Sequence, residues 1–222
     1  MHVAHSDKTI QQYVSQFEMA RFLNENLLRY LQLFHFRPYT NVYIEEEEQH
    51  VLYFLVEGQV QCNHYHLNGK LAVFAVSEPF AAIGDLEILS TETINSNVIA
   101  TRETVMLGIS RTYVHRYGAD DPRFLRFLLD QLREKLYKTN TLQMNQLLPV
   151  INRLTVYMLA HPTYNEDSVI LLPEKETLAS LLGTTPRHLN RVLKELVEMG
   201  AISAGYPMVR ILDRSALCEL TV

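Results

Sequence analysis

The chain has 222 residues, a hydrophobic share of 47% and a formal net charge of −5 at neutral pH. These values fit one large or two modest domains with a real hydrophobic core, and they argue against disorder and against a nonspecific nucleic-acid coat. No apolar run approaches the roughly 20 residues that span a bilayer, and no signal-peptide pattern is present, so we expect a cytoplasmic protein without a membrane partner. Cys62 and Cys218 lie far apart without a CxxC pair, which argues against a disulfide scaffold, a zinc ribbon and an iron–sulfur cluster.

The first part of the chain changes from helical to strand-like periodicity. Before Pro38 the apolar spacing predicts one or two helices. From Tyr39 to about Ser110 the pattern becomes short runs rich in valine, isoleucine and aromatic residues, and Asn68-Gly69 between two of them is the strongest hairpin signal. The even spacing of the strands predicts a double-sheet jelly roll or barrel, which is the candidate sensor. The apolar helical residues are Ile10, Val14, Phe17, Phe22, Leu23, Leu27, Leu28 and Leu31.

A long helix is predicted after this β region. Asp121 can cap it, and Pro122 suits its first turn. A helix of this length beside a small β domain leaves one side in need of a partner, which favours a homodimer. Pro149 marks a break before another helix that begins the C-terminal module. The leucines of the predicted dimer seam are Leu125, Leu129, Leu132 and Leu136.

Two short helices joined by a glycine turn are predicted between Glu176 and Leu196. Gly183 can take a left-handed conformation at no steric cost, Thr185 is a good N-cap, and Pro186 fits the first helical position. The second helix has an apolar stripe of Leu189, Val192, Leu193 and Leu196. Its other face carries Arg187, His188, Asn190, Arg191 and Lys194. Arginine pairs with guanine and asparagine with adenine in the major groove, so this face indicates a DNA-binding helix-turn-helix; the alternative is an ordinary solvated face.

A hairpin is predicted directly after this pair of helices. The helix ends at Gly200, and strand-like Ile202 to Ala204 leads through a Gly205-Tyr206-Pro207 turn to a returning strand from Met208 to Leu212. Such a wing can place Arg210 on the DNA backbone, which contributes affinity but no sequence information.

Three stretches together resemble the Crp/Fnr family of bacterial transcription regulators across nearly the whole chain: LYFLVEGQV, AAIGDLEIL and LASLLGTTPRHLNRVLKELVEMGAI. The resemblance implies an α+β fold with an N-terminal double-stranded β-helix or jelly-roll sensor domain, a long dimerisation helix and a C-terminal winged helix-turn-helix domain. The implied boundaries are 1–120, 121–148 and 149–222. It also implies base reading by Arg187, His188, Asn190 and Arg191, with Arg191 where the family most often keeps an arginine. A glutamate is common in the family where Arg187 stands, so the family's usual half-site is not expected.

The resemblance also implies an effector pocket formed by Gly84, Asp85 and Asn95, together with Lys138 and Thr139 of the long helix. In members that bind cyclic AMP, an arginine about eleven residues after the Gly-Glu pair holds the cyclic phosphate. The matching residue here is Asn95, which would leave a buried phosphate without a counter-ion, so cyclic AMP is not expected. Arg102 either reaches inward or is an exposed strand arginine.

Other kinds of site have weaker support. A cupin-like metal enzyme would use His64 and His66 with Glu78 or Glu87, but no further histidine follows before His115. Haem ligation by His64 or His66 is opposed by the ordinary reading of both as solvent-facing strand residues. A dimeric adaptor with a vestigial DNA module is a third possibility. We therefore expect no enzyme activity, no metal and no cofactor.

We therefore expect a homodimeric transcription regulator that binds a near-palindromic double-stranded DNA operator and contacts RNA polymerase. Its β-roll either senses an unidentified small-molecule effector or has lost sensing and acts constitutively. In the first case the effector would bias an existing conformational equilibrium.

Overall fold

The computed structural model describes residues 2–4, 7–65, 71–144, 147–160 and 168–221. The chain divides into two units, Met1–Tyr137 and Lys138–Val222, each with its own hydrophobic core. Within the described ranges, no helix has both the length and the apolar character needed to cross a membrane. The predicted Asn68-Gly69 hairpin and His66 lie outside the described residues.

The first unit combines helices with two antiparallel sheets. Its helices are α1 (Asp7–Gln16), a short 3-10 helix (Met19–Arg21), α2 (Glu25–Arg29), α3 (Arg111–Tyr117) and the greater part of α4 (Pro122–Met144). Its strands are β1 (His2–Ala4), β2 (Gln32–Phe36), β3 (Asn41–Tyr43), β4 (Val51–Glu57), β5 (Val60–Tyr65), β6 (Leu71–Ser77), β7 (Ala81–Ile83), β8 (Asn97–Ala100) and β9 (Thr104–Ser110). One sheet has the order β1-β2-β9-β4-β7 and the other β3-β8-β5-β6, which confirms the predicted double-sheet fold.

The start of the β region differs from the prediction. The helices α1 and α2 form where expected, but Gln32–Phe36 is a strand that lies before Pro38, not after it. This segment pairs along its whole length with β9, from Gln32 opposite Gly108 to Phe36 opposite Thr104. Leu33, Phe34 and Phe36 are buried by that pairing. This segment is a strand because it pairs with β9, about 70 residues away in the chain, and local periodicity cannot predict such a distant partner.

The long helix α4 begins as predicted and packs against the first unit. Asp121 Oδ1 accepts a hydrogen bond from the backbone N–H of Arg123 at 2.9 Å, so Asp121 caps the helix. Phe124 and Leu128 are buried in the core of the unit. The rings of Phe22 and Phe127 stack with centroids 3.9 Å apart, which joins the N-terminal segment to the helix.

The second unit is a small helical module with one short sheet. Its described elements are α5 (Val150–Ala160), β10 (Val169–Leu171), α6 (Lys175–Leu181), α7 (Pro186–Glu198), β11 (Met208–Arg210) and α8 (Arg214–Glu219). Helix α5 starts directly after Pro149, as predicted. Leu154, Met158, Leu178, Leu189 and Leu196 are fully buried, so the apolar stripes of α5, α6 and α7 share one core.

Candidate nucleic-acid interface and effector pocket

Helices α6 and α7 are joined by the predicted glycine turn. Gly183 has φ +58°, the left-handed conformation that glycine adopts most readily. The N–H of Gly183 donates to the carbonyl of Ser180, and the N–H of Thr184 donates to the carbonyl of Ala179. These bonds give hydrogen-bond partners to carbonyl groups in the last turn of α6. Arg153 of α5 donates to the carbonyl of Leu182 at 2.5 Å and braces the turn.

The start of α7 has the cap that its sequence predicts. The Thr185 hydroxyl accepts a hydrogen bond from the N–H of His188 at 3.2 Å, and Pro186 occupies the first helical position. The helix ends at Glu198, and Gly200 follows with φ +71°. Leu189, Val192 and Leu196 are buried, which fixes the rotation of the helix on the module.

The opposite face of α7 is polar and open to solvent. Arg187, Asn190 and Arg191 are exposed at the i, i+3 and i+4 positions of one face. Within the described ranges none of their side chains is held by an ion pair or a hydrogen bond. Lys194, one turn further along, forms an exposed ion pair with Glu198 at 3.4 Å, and His188 is half-buried. Two guanidinium groups and an amide are therefore available together to a ligand.

The wing is shorter than predicted. The stretch from Ile202 to Ala204 is not a strand, but it lies antiparallel to the returning segment, with a bridge between Ile202 and Ile211 and a hydrogen bond from the N–H of Ser203 to the carbonyl of Arg210 at 2.8 Å. On its other side the returning strand β11 pairs with β10, with Ile170 opposite Val209. Strand β10 was not predicted, although the apolar run from Val169 to Leu172 was a signal for it. Arg210 is exposed on β11, as a backbone-contacting residue would be.

In the first unit, Gly84 follows β7 at a crowded turn. It has φ +86°, and a Cβ there would collide with the side chains of Gln49 and Tyr43. Gln49 Nε2 donates to the carbonyl of Gly84 at 2.7 Å, and the Tyr43 hydroxyl donates to the carbonyl of Val51 at 2.5 Å. The close approach explains why only glycine fits at this position.

Asp85 is held by the long helix. Lys135 Nζ donates to Asp85 Oδ1 at 2.5 Å and to the carbonyl of Ala82 at 2.7 Å. The Asp85 side chain is only 4% exposed, and its Oδ2 atom has no hydrogen-bond partner in the described structure. Burial raises the pKa of the nearby Cys62 thiol to about 11, with Lys135 opposing the shift and Asp85 and Glu87 adding to it. The thiol is therefore neutral at physiological pH.

The other predicted pocket residues have different surroundings. Asn95 is exposed, and its backbone N–H donates to Glu87 Oε1 at 3.1 Å. Lys138 and Thr139 belong to the second unit, so their predicted place beside Gly84 stays a prediction. Arg102 lies in the turn between β8 and β9, not on a strand, and its guanidinium is 3.8 Å from Glu78 Oε1. Asn95, not an arginine, therefore stands at the position where the resemblance implies a phosphate-binding arginine.

Three of the residues proposed for a metal or haem site, His64, Glu78 and Glu87, already have protein partners, and His66 lies outside the described residues. His64 Nδ1 lies 2.9 Å from Glu45 Oε1, and the His64 ring stacks on Phe74. Glu78 accepts a hydrogen bond from Gln59 Nε2 at 2.9 Å. Within the described ranges, no group of three or more histidine, cysteine or acidic side chains is arranged to bind a metal ion.

The predicted dimer seam is partly exposed on α4. Leu129 and Leu136 are 67% and 60% exposed, while Leu125 and Leu132 are half-buried. Tyr137 beside them is also exposed. The helix thus buries one apolar face in its own unit and leaves a second apolar stripe open.

The order of these two units is matched by two family models. Residues 33–121 match the cyclic nucleotide-binding domain, and residues 152–220 match the Crp-like helix-turn-helix domain. Together the two matches cover well over half of the chain. The chain belongs to the Crp/Fnr family of transcription regulators.

Relatives in this family are regulatory proteins, not enzymes. The regulatory protein YeiL of Escherichia coli O157:H7 is 26% identical over 193 residues, which is 86% of each chain. A cyclic AMP receptor protein of Thermus thermophilus is 23% identical over 173 residues, 76% of this chain and 78% of that one. The structure of FixK2 from Bradyrhizobium japonicum has the same fold, with a TM-score of 0.77 at 18% identity over 86% of this chain and 98% of that one.

Sequence reasoning did not single out Lys135, the residue that bonds to Asp85 in the segment where an effector pocket is expected. The resemblance directed attention to Lys138 and Thr139, whereas the residue that bonds to Asp85 lies one turn earlier on α4. The available signal was helical spacing, because Lys135 falls seven residues after the buried Leu128 and on a similar side of the helix.

Proposed function

We propose that this Crp/Fnr regulator acts as a homodimer that reads a near-palindromic operator through α7. The observation that carries the proposal is the exposed set of Arg187, Asn190 and Arg191 on one face of a helix whose other face is fully anchored. Arginine and asparagine are the side chains that pair bidentately with guanine and adenine. We expect His188 to contact bases together with these residues, Arg210 of the wing to contact the phosphate backbone, and Thr185 and Lys194 to make further contacts to the DNA.

The homodimer is supported by the open stripe on α4. A two-fold dimer would bury Leu129 and Leu136 of both chains in one isologous interface, and it would present two copies of α7 to half-sites about one helical turn apart. RNA polymerase is the expected protein partner of such a dimer at a promoter, as for transcription regulators generally.

The β-roll does not fit the phosphate of a cyclic nucleotide. Asn95 is uncharged and exposed, and the buried Asp85 and Glu87 carboxylates would repel a phosphate. The cation beside them, Lys135, is already bonded to Asp85. The β-roll therefore either binds an effector of different chemistry or needs no effector, because the Lys135–Asp85 ion pair already stabilises this segment. In either case the Lys135–Asp85 bond supplies the link between the pocket segment and α4, whose equilibrium an effector could shift.

The test is selection of genomic fragments with purified protein, with and without cell extract, followed by affinity measurement on the enriched fragment. Arg191→Ala should weaken binding roughly tenfold to a hundredfold, because a good bidentate base contact contributes about 1–3 kcal/mol. Arg214→Ala removes the same charge from an exposed position on α8 and should change affinity far less.

Four outcomes of this selection are informative. An enriched palindrome that is lost with Arg191→Ala supports base reading by α7, and enrichment that needs extract supports an effector. A protein that enriches no sequence under either condition contradicts the proposal and favours the adaptor alternative. Equal losses for Arg191→Ala and Arg214→Ala would show that charge alone, not base reading, drives binding.

A further inference from the structure

An open cleft lies on the first unit at the junction of β4, β9 and α3, and its lining includes neither Gly84 nor Asp85. Its lining consists of His50, Ser110, Arg111, Thr112, His115 and Arg116. The backbone N–H of Arg111 donates to the carbonyl of His50 at 2.8 Å, and Val51 pairs with Ser110 in the sheet. These backbone hydrogen bonds connect the two sides of the cleft, so the sheet itself fixes the distance between them.

The chemistry of the lining is basic and rich in hydrogen-bond donors. Two guanidinium groups, two imidazoles and two hydroxyls line the cleft, and no carboxylate does. Within the described ranges, the ion pairs leave all four of the basic side chains out. Arg111 and Arg116 carry permanent positive charge, and the two histidines add hydrogen-bonding nitrogens. Two neighbouring guanidinium charges that have no acidic partner among the described residues attract an anion.

Several of these side chains are already held in place. Arg111 Nη2 donates to the carbonyl of Ser90, and Arg111 Nε lies 3.4 Å from His115 Nε2. The guanidinium of Arg116 sits over the Tyr117 ring, 5.4 Å from its centroid. Side chains that are positioned before a ligand arrives lose less conformational entropy when it binds.

We propose that this cleft binds a small phosphate-bearing anion, either inorganic phosphate or a phosphate monoester. A tetrahedral phosphate offers several acceptor oxygens, and guanidinium groups bind it through charge-assisted hydrogen bonds. The hydroxyls of Ser110 and Thr112 can donate to the remaining oxygens. Arg111 also bonds to Ser90, so the bound anion would lie next to the loop that begins at Gly84. The proposal does not depend on the function proposed above.

The experiment is calorimetric titration of the full-length protein with inorganic phosphate, without DNA and at constant ionic strength. The wild type should bind saturably with one phosphate per chain. Arg116→Gln should weaken binding by about tenfold or more, as the loss of a charge-assisted hydrogen bond does. Arg126→Gln, which removes the same charge from an exposed position on α4 outside the cleft, should leave binding unchanged.

His50→Gln, on the other side of the cleft, gives a second and independent variant. It too should weaken phosphate binding, and it keeps the test valid if Arg116→Gln does not fold. Phosphate should also raise the unfolding temperature of the wild type but not that of a cleft variant, since only a ligand bound to the folded state stabilises it. Acetate at the same concentration should bind detectably more weakly than phosphate.

The proposal is overturned by any of four results. These are the absence of saturable phosphate binding, an equal loss with Arg126→Gln, equal affinity for acetate, and unchanged binding in both cleft variants. If free phosphate does not bind but Arg116→Gln weakens binding to the operator fragment, the cleft takes a phosphate of the DNA backbone, and a small-molecule site is ruled out.

Discussion

Lys135 Nζ lies 2.5 Å from Asp85 Oδ1, so a residue of the long helix α4 is ion-paired with the residue directly after Gly84. The two are 50 positions apart in the chain. The carboxylate is almost completely buried, whereas the lysine is about one-third exposed. This pair connects the segment proposed to line an effector pocket with α4, the helix proposed to carry the dimer interface, through the protein's own side chains.

Lys135→Met should destabilise the first unit by about 1–3 kcal/mol, because it leaves the Asp85 carboxylate buried without its cation. The loss should be smaller than for a fully buried ion pair, because Lys135 is partly exposed to solvent. Asp85→Asn combined with Lys135→Met should restore part of the loss, since the uncompensated charge is then gone. Urea unfolding curves measure both effects. Arg126→Met is the matched control, and an equal loss there would show that the ion pair contributes nothing specific.

Asp121 should contribute stability that disappears in acid. The side chain of Asn24 donates to Asp121 Oδ2 at 2.8 Å and, with the Arg123 N–H on Oδ1, lowers the pKa of this carboxyl in the folded protein. Because the pKa of Asp121 is lower in the folded than in the unfolded protein, its contribution to stability is complete above the unfolded pKa of about 3.9. This contribution is lost as the pH falls through the folded pKa.

Asp121→Ala should therefore cost about 1 kcal/mol at pH 7, the usual loss for an N-cap, and less below about pH 4. Unfolding free energies at several pH values between 3 and 7 check this expectation. Asp120→Ala removes an exposed carboxylate from the neighbouring position and serves as the control. A difference from wild type that stays constant across this range would contradict the assignment.

Cys62 should be unreactive in the folded protein. Its pKa of about 11 leaves very little thiolate at pH 7.5, and only the thiolate reacts with iodoacetamide. Cys218 is exposed and should be modified first. Mass spectrometry of the alkylated native protein should find the label on Cys218, with Cys62 labelled only after denaturation. Rapid labelling of Cys62 in the folded Cys218→Ser variant would show that the pKa of this thiol is not raised in the folded protein.

Replacing Leu129 and Leu136 together by glutamine should shift the protein from dimer to monomer. Both leucines are exposed in the single chain, so the change removes apolar area from the proposed interface with little cost to the fold of the chain itself. Sedimentation velocity over a range of concentrations measures the shift. Leu212→Gln changes an equally exposed leucine of the second unit and should leave the dimer intact. A wild type that is monomeric at every concentration would refute the dimer.

The helix-turn-helix is the part of the site that local sequence predicted best. Thr185 caps α7, Pro186 begins it and Gly183 turns the chain before it, all as expected. Each of these features depends on bonds and conformations within about four residues of the chain. The polar face of α7 follows from the same periodicity, because burying the leucines leaves the arginines outside.

The wing and the early strand show where local pattern failed. The apolar residues of Gln32–Phe36 form a strand because β9 lies beside them, and Met208–Arg210 forms its ladder with β10, a strand that was not predicted. A strand needs a partner, and nothing in its own few residues states which one it will find.

The sequence by itself determined the order of the modules, the double-sheet fold, the long helix and the helix α7 with its exposed arginines. These follow from hydrophobic periodicity, caps and turn residues, which act over short stretches of chain. Only the tertiary structure decided that Lys135 pairs with Asp85 and that His50 faces Arg111 and Arg116 across one cleft. Those side chains lie between 50 and 66 residues apart, and the sheets and helices of the first unit bring them together.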